Sequence, residues 1–280
     1  MKNISLKKLF IFSFFALSLA FIFSATNNQF YVFLYSKQKE KTLSVSKEVD
    51  FGGSIIQFRK VDFYLYKVDA EKEKMQLWLQ NDTGKVHKNI GNLKKYLAEK
   101  DETLVFAMNA GMYLKNNMPQ GLYKENNKQF AALDTVKNGY GNFYMQPNGV
   151  FAFNDNESIV TTVKDFEKMV SKYENATQSG PMLVIDGKMH HKFNKNSKSK
   201  YTRNGVGIND RGEVIFACSS IPVNLYHFAD LFLNKLNCEN ALYLDGAISK
   251  IYLPEINKFE ISGNLGPLIG ISKKAESKGK

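Results

Sequence analysis

Cysteine, histidine and tryptophan are scarce in this 280-residue chain, which has two, four and one of them. The two cysteines, Cys218 and Cys238, lack the spacing of zinc ligands, and no two histidines lie four residues apart. No metal site is therefore indicated and no cofactor is required, although a divalent ion held by turn carboxylates and carbonyls stays open. A disulfide and two buried thiols are both open, and we expect the cysteines to be near neighbours.

Three common site motifs are also absent: the Gly-x-Ser-x-Gly elbow, the phosphate-binding P-loop and the dinucleotide fingerprint. The net charge is +11, yet no nucleic-acid-binding module or basic helix appears, which argues against a nucleic-acid partner. Basic residues concentrate at both ends of the chain and between Lys192 and Arg203. Two interpretations stay open: solubility together with attraction to an anionic membrane face, or guidance of a phosphate-bearing substrate toward a pocket.

The N-terminal segment carries a targeting signal. Lys7 and Lys8 precede an uncharged apolar run over 9–23, the pattern of a secretory signal, and Ser18-Leu19-Ala20 suits cleavage. The run also approaches the ~20 residues that span a bilayer, so residues 1–25 are either a signal peptide or a membrane anchor. In both cases we expect the protein in the periplasm, in the cell envelope or anchored on the outer side of a membrane.

The rest of the chain predicts one domain. Residues 26–50 are a polar tether, residues 51–273 form the domain, and residues 274–280 are a basic tail. Strand-like runs separated by turns dominate the domain, and helices are predicted at 92–99, 165–173 and 225–236. This pattern favours the α+β class, with mixed β-sheets and a few flanking helices.

Short polar, glycine-containing segments follow several strand-like runs. In the last of them, the apolar run Ala241–Leu244 ends abruptly in Asp245 and Gly246. A charged group at the mouth of a buried strand is typical of a binding or active site. We therefore predict that strand ends converge on a polar pocket. The segments are 107–113, 147–151, 178–188, 203–208 and 244–250.

Asp245 is the first candidate for chemistry, as a general base, a nucleophile or an electrostatic stabiliser; a turn-capping role is the alternative. Arg203 is able to hold a phosphate through paired hydrogen bonds, or is an ordinary arginine in a basic run. Asn109 follows a buried strand, so its amide either binds a sugar hydroxyl or bonds locally. Asp186 and Gly187 form a two-residue hairpin turn, where the aspartate is predicted to be structural.

Further candidates line the same predicted pocket. Ser179 and Gly180 precede Pro181, which favours an extended backbone with exposed polar groups. Ser249 follows Asp245 closely, and Lys250 either serves the same anion as Arg203 or is a solvated lysine. His190 either reaches the pocket or is a solvated loop residue.

In this order and spacing, the segments resemble the phosphodiester glycosidase family, whose animal members remove N-acetylglucosamine from a sugar-phosphate diester. Residues 109–113 are similar to its Asn-Gly/Ala-Gly-aromatic segment, and 179–187 to its Ser-Gly-Gly/Pro…Asp-Gly hairpin. Residues 203–207 resemble Arg-Thr-Ala-x-Gly, and 244–246 resemble Leu-Asp-Gly. The likeness covers 51 to about 272 and is strongest to the bacterial envelope branch. Ala247-Ile248 replaces family glycines here.

The resemblance implies an exported hydrolase that cleaves a sugar-1-phosphodiester at the anomeric carbon, in envelope or exopolysaccharide metabolism. It gives Asp245 the role of facing the oxocarbenium-like carbon, and Arg203 with Lys250 that of accepting the phosphate charge. Asn109 and Ser249 position sugar hydroxyls. The partner is thus a glycan or sugar phosphate. Two rivals stay open: a non-catalytic envelope glycan-binding protein, and a phosphodiesterase that cuts the phosphorus–oxygen bond.

The export signal can be tested directly. Residues 1–35 fused to a reporter enzyme that is active only outside the cytoplasm are expected to give an active reporter, because a basic start and an apolar run direct secretion. Reporter activity in whole cells is the measurement, with the same fusion lacking 9–23 as the control. A reporter that stays inactive in the cytosol would contradict the expectation.

Overall fold

The computed structural model of the protein describes residues 49–245 and 248–275. The predicted signal or anchor, most of the tether, the Gly246-Ala247 pair and the end of the basic tail lie outside the described residues. Within the described ranges, no helix has both the length and the apolar character needed to cross a membrane.

Strands make up most of the regular structure. In chain order they are β1 (Gly52–Phe58), β2 (Val61–Lys67), β3 (Met75–Trp78), β4 (Glu102–Asn109), β5 (Tyr123–Glu125), β6 (Lys128–Ala131), β7 (Gly149–Phe153), β8 (Ser158–Thr162), β9 (Asn175–Ser179), β10 (Met182–Ile185), β11 (Lys188–Met189), β12 (Asn204–Asn209), β13 (Val214–Ser219), β14 (Cys238–Asp245), β15 (Ile251–Leu253), β16 (Lys258–Phe259) and β17 (Leu268–Lys274).

These strands form three sheets. The largest has the order β1-β2-β13-β12-β14-β10-β11, the second β16-β15-β4-β17-β3 and the third β6-β5-β9-β7-β8. The pairings within them are antiparallel, so the expectation of mixed sheets is corrected. The reason is the connections: many are tight turns, which join antiparallel neighbours, whereas parallel neighbours need long crossovers.

One apolar core is shared by all three sheets. Phe106 of the second sheet stacks on Tyr66 of the first, with ring centroids 4.4 Å apart, and also contacts Phe216 at 5.1 Å. Phe151 of the third sheet meets Phe216 edge to face at 5.8 Å. These side chains are fully buried, so the sheets fix one another through a single aromatic centre.

Few helices occur in the described part of the chain, and they cover the outer faces of the sheets. Helix α1 (Ile90–Ala98) begins at the cap Asn89, whose side-chain oxygen accepts from Asn92 N at 2.8 Å. Helix α2 (Val163–Phe166) is shorter than the predicted 165–173. Helix α3 (Leu225–Asp230) continues as a π-helical turn over Leu231–Lys235, which together match the predicted 225–236.

The expectation that the two cysteines are near neighbours is wrong. Cys218 lies opposite Asn204 and Cys238 lies opposite Asn209, at the two ends of β12. Five strand positions span about 16 Å, well beyond the ~7 Å that a disulfide allows between Cα atoms. Both residues are free, buried thiols, and burial raises the pKa of Cys218 to about 12.

The 186–187 turn has the conformation that its sequence predicts. Ile185 pairs with Lys188, leaving Asp186 and Gly187 as the two turn residues. Both have positive φ, at 47° and 69°, as a primed hairpin turn requires. Asp186 is exposed and is placed by this turn.

Candidate active site

Four strands that carry the sequence motifs end or begin at one place. Strand β4 ends at Asn109, β9 at Ser179 and β14 at Asp245, while β12 begins at Asn204. Because β12 and β14 are antiparallel neighbours, Asn204 lies opposite Asp245. The register shifts between Asn204 and Gly205, an irregularity that changes the direction of a side chain at a strand end.

The carboxylate of Asp245 is held by the amide of Asn109. Nδ2 of Asn109 donates to Oδ2 of Asp245 at 3.1 Å, and the two residues are 0% and 5% exposed. The backbone N–H of Lys250 donates to Oδ1 of Asn109 at 2.8 Å. Since that bond requires an oxygen at Oδ1, the amide can present only its NH2 group to the carboxylate.

Asn204 is the residue that sequence analysis missed. Its Nδ2 donates to Asn109 O at 2.8 Å, and its Oδ1 accepts from Asp245 N at 3.1 Å and from Ser249 Oγ at 3.2 Å. It is fully buried. Its position at the start of a strand, directly after Arg203, is the sequence feature that points to it. The functional interpretation of that segment was given to the neighbouring arginine instead.

The two predicted serines belong to the same network through backbone oxygens. Ser249 Oγ also contacts Thr202 O at 2.9 Å and Asp245 O at 3.2 Å. Ser179 Oγ donates to Leu244 O, the carbonyl directly before Asp245. Both hydroxyls thus bond the backbone at the end of β14, where the carboxylate lies. Lys250 is half-buried beside them.

Two glycines permit this close packing. A Cβ at Gly111 would lie 2.3 Å from Gln178 O and 2.5 Å from Thr177 Oγ1. A Cβ at Gly180 would lie 2.7 Å from Phe143 O. These separations are shorter than any van der Waals contact, so the 109–113 and 179–181 segments approach their neighbours only because they have glycine there.

Tyr113 is a second residue not singled out from the sequence. Burial and, to a smaller extent, the charge of Asp245 raise the pKa of its phenol, so the phenol lies within the electrostatic reach of that carboxylate. Its hydroxyl donates to Asn264 O at 2.9 Å. Tyr113 therefore adds a neutral polar ring to the group around Asp245.

Arg203 is buried, and protein atoms bind its guanidinium. Nε donates to Val223 O at 2.7 Å, one terminal nitrogen to Tyr243 Oη at 2.7 Å and the other to Ser199 O at 3.0 Å. Tyr243 has both Arg203 and Asp245 as charged neighbours. Three of the five N–H groups are thus engaged. The contact between the Arg203 guanidinium and a substrate phosphate stays a prediction.

His190 is buried rather than solvated. Its Nε2 lies 3.1 Å from Gln146 O, and its Nδ1 accepts from Lys192 N at 3.2 Å. These partners fix the tautomer, with the proton on Nε2. Its ring stacks on His191 and Phe193. Burial and the nearby His191 lower the pKa of His190 to about 4.

The group formed by Asp245, Asn109, Asn204 and Ser249 presents one fixed carboxylate with amide support. Such a carboxylate can act as a base, as a nucleophile, or as a stabiliser of developing positive charge. Within the described ranges, no three histidine, cysteine or acidic side chains are grouped to hold a metal ion.

The depressed pKa of His190 predicts a pH-dependent stability. The unfolded chain binds a proton near the ordinary pKa of 6.5, whereas the folded chain binds it only near 4, so stability is fully present above about pH 6.5 and falls toward pH 4. The loss amounts to about 3 kcal/mol. Urea unfolding of the wild type and of His190→Gln across this range is the measurement. Parallel pH profiles for the two proteins would contradict it.

Comparison of the chain with known proteins identifies a related family and related structures. The model of the phosphodiester glycosidase family matches residues 102–264. The uncharacterized protein YigE of Escherichia coli (strain K12) is 36% identical over 190 residues, which cover 67% of this chain and 73% of YigE.

Two solved structures share the fold. The catalytic domain of zebrafish N-acetylglucosamine-1-phosphodiester alpha-N-acetylglucosaminidase, auto-inhibited by its pro-peptide, has a TM-score of 0.54 at 16% identity, over 80% of this chain and 82% of that one. A candidate exported protein of Burkholderia pseudomallei has a TM-score of 0.51 at 8% identity, over 75% and 74%. On the family match and the YigE identity together, the chain belongs to the phosphodiester glycosidase family.

Proposed function

We propose that this protein is an exported hydrolase that cleaves a sugar-1-phosphodiester at its anomeric carbon. The observation that carries the proposal is the buried Asp245, whose carboxylate is bonded by Asn109 and whose backbone N–H is bonded by Asn204, at the point where the family motifs meet. In this proposal Asp245 faces the anomeric carbon, either as the nucleophile or as the base that activates water. Asn109 and Tyr113 lie at the edge of the sugar-binding position in this proposal.

A single carboxylate suits this reaction better than it suits ordinary glycoside hydrolysis. Most glycosidases need a second, protonated carboxyl because a sugar alkoxide is a poor leaving group. A phosphate monoester leaves readily as an anion, so the main demand is a positive charge near the departing oxygen. Lys250 at the edge of the group and Arg203 beside Tyr243 supply positive charge in the proposal.

The relatives guide the choice of substrate and compartment. The zebrafish enzyme is named for releasing N-acetylglucosamine from a 1-phosphodiester, which makes that linkage the first to assay. The apolar run at 9–23 supports a place in the periplasm or envelope. A non-catalytic glycan-binding role is the outcome to be separated from catalysis by experiment.

Asp245→Asn tests the carboxylate. The substitution keeps the shape and a hydrogen-bond acceptor for Asn109 but removes the charge, so kcat for sugar release is expected to fall at least about a hundredfold. Sugar release from an N-acetylglucosamine-1-phosphodiester and from other sugar-1-phosphodiesters is followed by chromatography. Thermal unfolding is expected to change little.

Asp186→Asn is the matched control. It makes the same chemical change at an exposed turn position that asparagine tolerates, so full activity is expected. Full activity of Asp245→Asn would show that the carboxylate assignment is wrong. A wild-type protein that binds these diesters without turnover would instead be a glycan-binding protein.

A further inference from the structure

A lysine-rich loop lies next to the candidate active site. This segment, residues 191–202, is called the basic loop here and joins β11 to β12. From Gly187 to Asn209 the sequence has no acidic residue. The loop instead presents four lysines, all of them exposed: Lys192, Lys195, Lys198 and Lys200.

Both ends of the basic loop are tied to the site. At its end, Thr202 O accepts the hydroxyl of Ser249 at 2.9 Å, and Ser249 also contacts Asn204. At its start, His190 is bonded to Gln146 O. The segment after Gln146 includes Asn148, whose Cβ would be 2.8 Å from a Cβ at Gly180. The end of the loop thus contacts the group around Asp245 through Ser249, and its start is bonded to the segment that packs against Gly180.

Buried side chains hold the backbone of the basic loop. Asn224, the cap of helix α3, donates to Lys195 O at 3.0 Å and to Ser197 O at 3.1 Å. Arg203 donates to Ser199 O at 3.0 Å, and Tyr201 forms a two-way backbone bridge with Val223. Asn224 and Arg203 are each 1% exposed. The lysines thus extend from a fixed frame.

The four lysines also lack acidic neighbours. Within the described part of the chain, no ion pair involves any of them. Elsewhere on the surface, several exposed lysines do form ion pairs, at 2.6–3.1 Å. Examples are Lys72 with Asp69, Lys74 with Asp155, Lys100 with Asp82 and Lys172 with Glu157, and Lys273 with Glu73. The basic loop therefore keeps an uncompensated positive charge beside the site.

We propose that the basic loop binds a polymeric anion, a glycan or polyol chain with several phosphodiester groups, whose sugar-phosphate linkage enters the Asp245 site. The inference rests on the proposed function and names its substrate class. A compact sugar-1-phosphodiester has one negative charge and relieves the repulsion around one lysine only. A chain with repeated phosphates relieves it around all four.

The test compares two quadruple variants. K192Q/K195Q/K198Q/K200Q removes the loop charge, and K85Q/K95Q/K164Q/K168Q removes the same charge from exposed positions elsewhere. Binding of a fluorescent oligo(glycerol phosphate) is measured by anisotropy at low and at physiological salt. The loop variant is expected to bind at least about tenfold more weakly at low salt and to lose salt dependence, because its charges release fewer counterions. The control variant is expected to bind like the wild type.

A kinetic arm separates this inference from the function on which it rests. With a sugar-1-phosphodiester on an oligo(glycerol phosphate) chain, the loop variant is expected to show a raised KM and an unchanged kcat. With the small diester it is expected to match the wild type. If no protein turns over either substrate, the proposed function fails, while the anisotropy result still decides the role of the loop.

Three results would overturn the inference. The first is equal binding of the oligomer by the loop variant and the control variant. The second is equally tight, loop-dependent binding of a single-stranded DNA of the same charge, which would mean attraction to any polyanion. The third is loop-dependent binding to vesicles of phosphatidylglycerol and phosphatidylcholine with unchanged oligomer binding, which would make the loop a membrane contact.

Discussion

One buried amide joins the parts of the candidate active site. The side chain of Asn204 bonds the carbonyl of Asn109, the backbone N–H of Asp245 and the hydroxyl of Ser249. A buried polar group left without its partner costs about 1–3 kcal/mol, so each of these segments is fixed by the presence of the others. The position of the carboxylate at the end of β14 follows from that mutual constraint.

The sheets make this arrangement possible by ending together. Each sheet contributes a strand end to the group: β12 and β14 come from the first sheet, β4 from the second and β9 from the third. The shared aromatic core fixes the sheets against one another. Glycines at 111 and 180 then allow segments to approach to distances that a side chain would prevent. In the proposed reaction, a carboxylate that stabilises a developing cation must be oriented before the reaction begins, and a rigid frame provides that orientation.

Much of this site could be predicted from sequence, and the rest depended on side-chain direction. The sequence predicts that Asp245, Asn109 and Ser249 lie together, because each belongs to a polar segment that follows a strand-like run. Asn204 and Arg203 are adjacent, and a strand directs adjacent side chains to opposite faces, so sequence order alone did not show which one meets Asp245. The expectation that the two cysteines are near neighbours is wrong for a related reason. Their separation depends on the register of strand pairing, and Cys218 and Cys238 lie beside opposite ends of β12.

The position of the cleaved bond tests the account most directly. Hydrolysis of a sugar-1-phosphodiester is run in water enriched in the heavy oxygen isotope, and both products are analysed by mass spectrometry. If Asp245 acts at the anomeric carbon, the heavy oxygen enters the released sugar and the phosphate product stays unlabelled. Label in the phosphate would mean attack at phosphorus, and would contradict the role assigned to this carboxylate.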